Sequence, residues 1–219
     1  MEQRPEYDVK GEFCWDGPSD WKRWCNQLPR ILFLVKEPHG GYHPCEPIKS
    51  ISGPFQLNIA RWKYIIRDLY EHPDQCPKEL DESDIKDKSQ NNNDDIAIVE
   101  VKKKNEEWKR SDMKDILGYA NRDQDLLREQ IDLIDPHIVL CAFTIDAYGD
   151  YIYGNDDWQL LHSITEPKKA RCFKHMNRLV IDYYHVSNPS GVKLLFDALC
   201  KLIMEGKVFS NFHWMKKIC

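Results

Sequence analysis

Residues 30–44 read RILFLVKEPHGGYHP, and the first half of that stretch decides the architecture. Ile31-Leu32-Phe33-Leu34-Val35 is an unbroken apolar run, which suits a strand buried on both faces, the mark of a parallel sheet. Three further runs have the same character: 96–101 (IAIVEV), 138–143 (IVLCAF) and 179–184 (LVIDYY). Between them lie segments of helical period. Positions 57–70 put Ile59, Trp62, Ile65, Ile66 and Leu69 on one face, and 121–134, with Asn121 as the expected cap, carry Leu126, Leu127, Gln130, Ile131 and Ile134. After Pro189-Ser190 come Val192, Leu194, Leu195, Ala198, Leu199, Leu202 and Ile203. A shorter helix is expected from Ser19, with Trp21, Trp24, Cys25 and Leu28 on a face before Pro29. This alternation predicts a three-layer α/β sandwich around a short, mainly parallel four-stranded sheet flanked by helices.

At 219 residues, 42% of them hydrophobic, the chain suits one domain spanning 1–219. Seven Trp and ten Tyr argue against general disorder. Its eight cysteines show no CxxC pair and no Cys/His spacing for zinc or an iron–sulfur cluster, so free, mostly buried thiols are expected. Met1 is followed by Glu2, Arg4 and Glu6 rather than by an apolar run, and no stretch approaches the length of a membrane span. An intracellular, cytoplasmic and nucleoid-associated monomer without metal or cofactor is the expectation. Neither a P-loop nor a dinucleotide fingerprint is present, which sets kinase and dehydrogenase readings aside. The formal net charge is −5, but positions 79–95 alone hold seven acidic and two basic residues and read as a mobile surface loop. The remainder carries 29 of each sign, so the overall acidity does not oppose a nucleic-acid partner.

In a parallel sheet all strands end on one edge, and ligands bind there. After the first run come Lys36-Glu37-Pro38-His39-Gly40-Gly41-Tyr42-His43; the second holds Glu100 and leads into Lys102-Lys103-Lys104; the fourth leads into His185-Val186-Ser187-Asn188-Pro189-Ser190. Two carboxylates and a histidine thus converge on one edge.

The order of these motifs, with Gly53-Pro54-Phe55 before the long helix and QIDLIDPHIVLC at 130–141, resembles the uracil-DNA glycosylase superfamily from about Ile31 to Leu199. The resemblance implies a monofunctional enzyme that flips a base out of DNA and hydrolyses its N-glycosidic bond. It maps an acid–Pro pair onto Glu37-Pro38, a stacking aromatic onto Phe55, a base-reading side chain onto Glu100, and a His-containing loop onto His185-Val186-Ser187. Glu37 and His185 are then the expected catalytic residues: bond cleavage makes the sugar cationic and the departing base anionic, so a carboxylate and a donor to the base O2 both help. Phe55, Glu100, Tyr42 and Asn58 are the expected base contacts. Ser187, Asn188 and Ser190 are expected to contact DNA from a loop that opens a helix, joined by Lys102 and Lys103.

Two departures from the pattern shape the substrate. Glu100 stands where uracil readers carry Asn; an ionised carboxylate only accepts hydrogen bonds, which suits the cytosine N4 amino group, whereas uracil presents a carbonyl. A protonated Glu100 could face that carbonyl, but only if burial shifted it strongly. The insertion His39-Gly40-Gly41 before Tyr42-His43 loosens the turn that blocks base substituents in uracil-specific members. A modified cytosine, such as a glucosylated hydroxymethylcytosine in viral DNA, and hence antiviral defence, follows as the expected setting.

Basic residues cluster at Lys102-Lys103-Lys104 with Lys109 and Arg110, and at Lys168, Lys169, Arg171, Lys174 and Arg178, as candidate phosphate contacts. A lysine attacking the sugar, Lys36 or Lys102, would nick the strand instead. The competing readings are a uracil or damaged-base repair glycosylase, an inactive DNA-binding or interaction protein on the same scaffold, and a nucleoside hydrolase.

Overall fold

The computed structural model describes residues 16–38, 53–91, 95–104, 111–154, 156–187 and 192–214. In chain order these form β1 (Gly17–Pro18), α1 (Trp21–Asn26), β2 (Ile31–Val35), α2 (Pro54–Glu71), α3 (Glu82–Asn91), β3 (Ala97–Glu100), α4 (Met113–Arg122), α5 (Gln124–Ile134) and β4 (Ile138–Ala142). A π-helix (Ala147–Tyr153), β5 (Trp158–Ile164), β6 (Ala170–His175), β7 (Arg178–Tyr183), α6 (Val192–Glu205) and a short 3-10 turn (Val208–Asn211) follow.

One seven-stranded sheet has the order β1-β3-β2-β4-β7-β6-β5. Its centre, β3-β2-β4-β7, is parallel and consists of the apolar runs read from the sequence. The expected four-stranded sheet is too small, because antiparallel strands extend both sides: β1 pairs with β3, and β6 and β5 continue from β7. β1 has two residues, too few to leave a periodic signal, and β5 is an edge strand with much of its surface in water.

Strand alternation divides the core into two layers. Ile31, Phe33, Val35, Ile98, Leu140 and Ile181 pack under α2 and α6, while Leu32, Leu34, Val99, Val139 and Val180 pack under α1, α4, α5 and the π-helix. The α/β class follows directly from that arrangement.

Three local expectations are corrected. Asp20, not Ser19, caps α1 by accepting from the Arg23 N–H at 3.0 Å, while the Ser19 hydroxyl donates to Asp95. Trp24 is the one α1 residue fully buried, its indole N–H donating to the Ile134 carbonyl at 2.7 Å. The expected helix over 121–134 is two helices, since Asp123, with its carboxylate gripped by Arg122, leaves helical geometry between α4 and α5. The acidic segment folds as α3 over 82–91. Asp81 accepts from the Asp84 N–H at 2.8 Å, Lys86 pairs with Glu82 one turn away, and Ile85 is 2% exposed. Of the five described cysteines, Cys141, Cys172 and Cys200 are buried, Cys25 and Cys76 are exposed, and all are free.

His137 links α5 to β4 and is expected to make the fold acid-sensitive. Its Nδ1 accepts from the Arg30 N–H at 3.0 Å and its ring lies 5.1 Å from Trp214. Burial, then the Arg30 charge, lowers its pKa from 6.5 to about 4. A histidine lowered on folding is neutral in the fold while the unfolded chain takes a proton, so its stabilisation is complete above pH 6.5 and drains as pH falls toward 4. The thermal midpoint should therefore drop across that window, and His137→Asn, which keeps an acceptor without a titrating group, should flatten part of the slope. An unchanged slope in thermal scans would assign the acid sensitivity elsewhere.

Candidate active site

Because β2, β3, β4 and β7 are parallel, the residues after each strand share one edge. Pairing continues beyond the strands: the Val101 N–H donates to Val35, Lys102 to Lys36 and Phe143 to Tyr183, each at 2.9 Å. Glu37 and Glu100 are thereby carried on adjacent chain segments, both buried.

A charged network surrounds them. Lys102 Nζ lies 3.2 Å from Glu37 Oε2 and 2.6 Å from Asp115 Oδ2, 5.1 Å above the Tyr119 ring. Asp16, just before β1, accepts from the Glu100 N–H at 2.6 Å, from Lys103 Nζ, and from Gln130 Nε2 at 2.7 Å. Gln130 Oε1 closes the ring by accepting from Lys103 at 2.9 Å. The chain reaches this position through Gly17, whose φ of 125° is one that side-chain-bearing residues rarely adopt.

Glu100 is 1% exposed, and its Oε2 has no hydrogen-bond partner among the described residues. Burial pushes its pKa well above the usual carboxylate value; Asp16 and Glu37 push the same way, and Lys103 opposes them. Burial therefore favours the uncharged carboxyl over the ionised one, and in that form Glu100 would offer one donor and one acceptor.

The other side of the edge is built on α2 and the segment after β7. Asn58, expected as a base contact, is buried and donates through Nδ2 to the Val186 carbonyl at 2.7 Å, fixing the position of the His185 segment. Phe55, one turn earlier on α2, is half-buried against the core. His185 is half-buried, and its Nδ1 accepts from the Ser187 N–H at 3.2 Å. In neutral His185 that bond leaves the proton on Nε2, making it a donor.

Several expected DNA contacts are otherwise engaged. Lys102 and Lys103 lie in the network above rather than on a solvated face. Arg171 pairs with Asp182, Arg178 with Asp132 and the Tyr153 hydroxyl, and Lys174 reaches the Asn211 carbonyl. Ser187 is exposed. Tyr42, Asn188, Ser190, Lys109 and Arg110 lie outside the described residues. Sequence reasoning missed Asp16, Asp115 and Phe143; the only advance signal for Asp16 is its place before Gly17-Pro18, a chain-reversing pair. Among the described residues no group of His, Cys, Asp or Glu is arranged to hold a metal, and no helix is long and apolar enough to cross a membrane.

No protein-family model, curated protein or solved structure matches this chain.

Proposed function

We propose that the chain is a monofunctional DNA glycosylase that receives an extruded base at the carboxyl edge of its sheet, hydrolyses the N-glycosidic bond and leaves an abasic site, with a modified cytosine as substrate. The observation that carries this reading is the pair of buried carboxyls on neighbouring strand ends, Glu37 ion-paired and Glu100 with an oxygen that no described residue hydrogen-bonds.

Water adds to the sugar C1′ while the C1′–N bond electrons leave with the base. Glu37, steadied by Lys102, stabilises the cationic sugar and takes the water proton; a lysine held in two ion pairs is poorly placed to attack the sugar itself. His185 donates from Nε2 to the base O2 as negative charge gathers there. A protonated Glu100 meets cytosine on two atoms, accepting from N4–H and donating to N3. Phe55 stacks on the flipped ring. The same uncharged carboxyl also fits uracil, accepting from N3–H and donating to O4, which favours uracil excision as the second reading. The glycine-lengthened stretch around Gly40-Gly41 supports the bulkier cytosine derivative.

The reading is tested with duplexes carrying one glucosylated hydroxymethylcytosine, scored as alkali-labile strand breaks. Wild type should generate abasic product, and His185→Ala should slow it by about 10²-fold at similar DNA affinity. Undiminished cleavage by His185→Ala would remove His185 from the mechanism. DNA binding without product in the wild type would mark an inactive binding protein.

A further inference from the structure

Strand β4 ends at Ala142, and Phe143 turns the chain with φ of 66°. An aromatic residue in left-handed backbone is strained, and such strain persists only where the surroundings over-determine it. Here they do. The Phe143 N–H is donated toward the Cys141 and Tyr183 carbonyls at 2.9 Å, and the next residue, Thr144, is buried with its hydroxyl on the Leu34 carbonyl at 2.8 Å. The ring held in place here is a large apolar group left 54% exposed rather than packed into the core. Lys36 Nζ, from the end of β2, lies 4.7 Å from the ring centroid.

The location matters as much as the strain. β2 and β4 are neighbours, but the chain leaves β2 toward β3 on one side and leaves β4 toward β5, at the far edge beyond β7, on the other. Such a divergence opens the crevice in which α/β sheets bind ligands. Lys36 adjoins Glu37 in the chain, so the pair borders the proposed reaction centre. A π-face beside an ammonium matches the two parts of a nucleotide: bases stack on aromatic rings, and phosphates take cations.

We propose that Phe143 and Lys36 form a second nucleotide subsite, in which Phe143 stacks on the base adjoining the extruded one and Lys36 contacts the phosphate between the two nucleotides. This inference rests on the glycosylase reading and adds a strand-holding function to a residue pair outside the base pocket.

The test uses the full chain and a labelled duplex with a tetrahydrofuran abasic analogue at the target position and 2-aminopurine beside it. Phe143→Gly removes the ring and relieves the backbone, so affinity should fall about tenfold while the thermal midpoint holds or rises. At saturation 2-aminopurine should be brighter in the Phe143→Gly complex than in wild type, and Phe143→Tyr should restore both readouts. Lys36→Ala should reduce the slope of log Kd against log salt by about one. Wild-type affinity and dim 2-aminopurine in Phe143→Gly would overturn the inference while leaving the glycosylase reading intact if wild type still releases base. Absence of DNA binding by wild type would overturn both.

Discussion

Replacing Glu37 with Gln is expected to slow base release by about 10²–10⁴-fold while changing DNA affinity by less than about threefold. Gln has the same length and cannot take a proton from water, so the substitution isolates that proton transfer and the charge beside the sugar. The fold should tolerate it, because Lys102 keeps its 2.6 Å contact with Asp115. Single-turnover rates and equilibrium binding to the same duplex separate the two effects. Equal losses in rate and affinity would make Glu37 a binding residue, contrary to the role assigned to it.

The largest stability effect is expected at Lys102. Lys102→Met preserves the aliphatic stem but removes the ammonium from Glu37, whose side chain is 2% exposed. Taking one partner from a buried ion pair costs about 3 kcal/mol or more, because the remaining charge is left desolvated. Asp115 contributes little to that cost, since its side chain is 48% exposed and returns to water. For a chain of this size the thermal midpoint should fall by about 6–12 °C. Adding Glu37→Gln to Lys102→Met should recover much of the loss, since the carboxyl that faced the Lys102 ammonium is then neutral. Additive losses in the double variant would show that Lys102 acts on stability through something other than Glu37.

What could be read from the sequence follows the physics of each element. β2, β3, β4 and β7 are buried on both faces and leave dense apolar runs, and α2 and α6 leave helical stripes. β5, WQLLHSI, has no unbroken apolar run and is largely open to water, and the basic residues of β6 and the start of β7 read as a phosphate patch because their ion-pair partners are distant in sequence. A single buried isoleucine, Ile85, holds α3 among charged residues, so composition alone reads as loop. At the candidate site, the placement of Glu37, Glu100 and His185 at one sheet edge is legible because strand ends are positions of known geometry. Asp16 was not: its partners stand at 100, 103 and 130, and nothing local marks such a hub. Phe143 was hidden for the opposite reason, since IVLCAF reads as strand to its last residue while the backbone turns away one residue earlier.

The most direct test of the central claim is mass-spectrometric detection of free base released by the wild-type chain from duplexes containing glucosylated hydroxymethylcytosine, cytosine or uracil. The account predicts release of the glucosylated base with an abasic site in its place, and no release of ordinary cytosine. Release of uracil alone would contradict the cytosine assignment, and release of no base from any duplex would contradict the glycosylase itself.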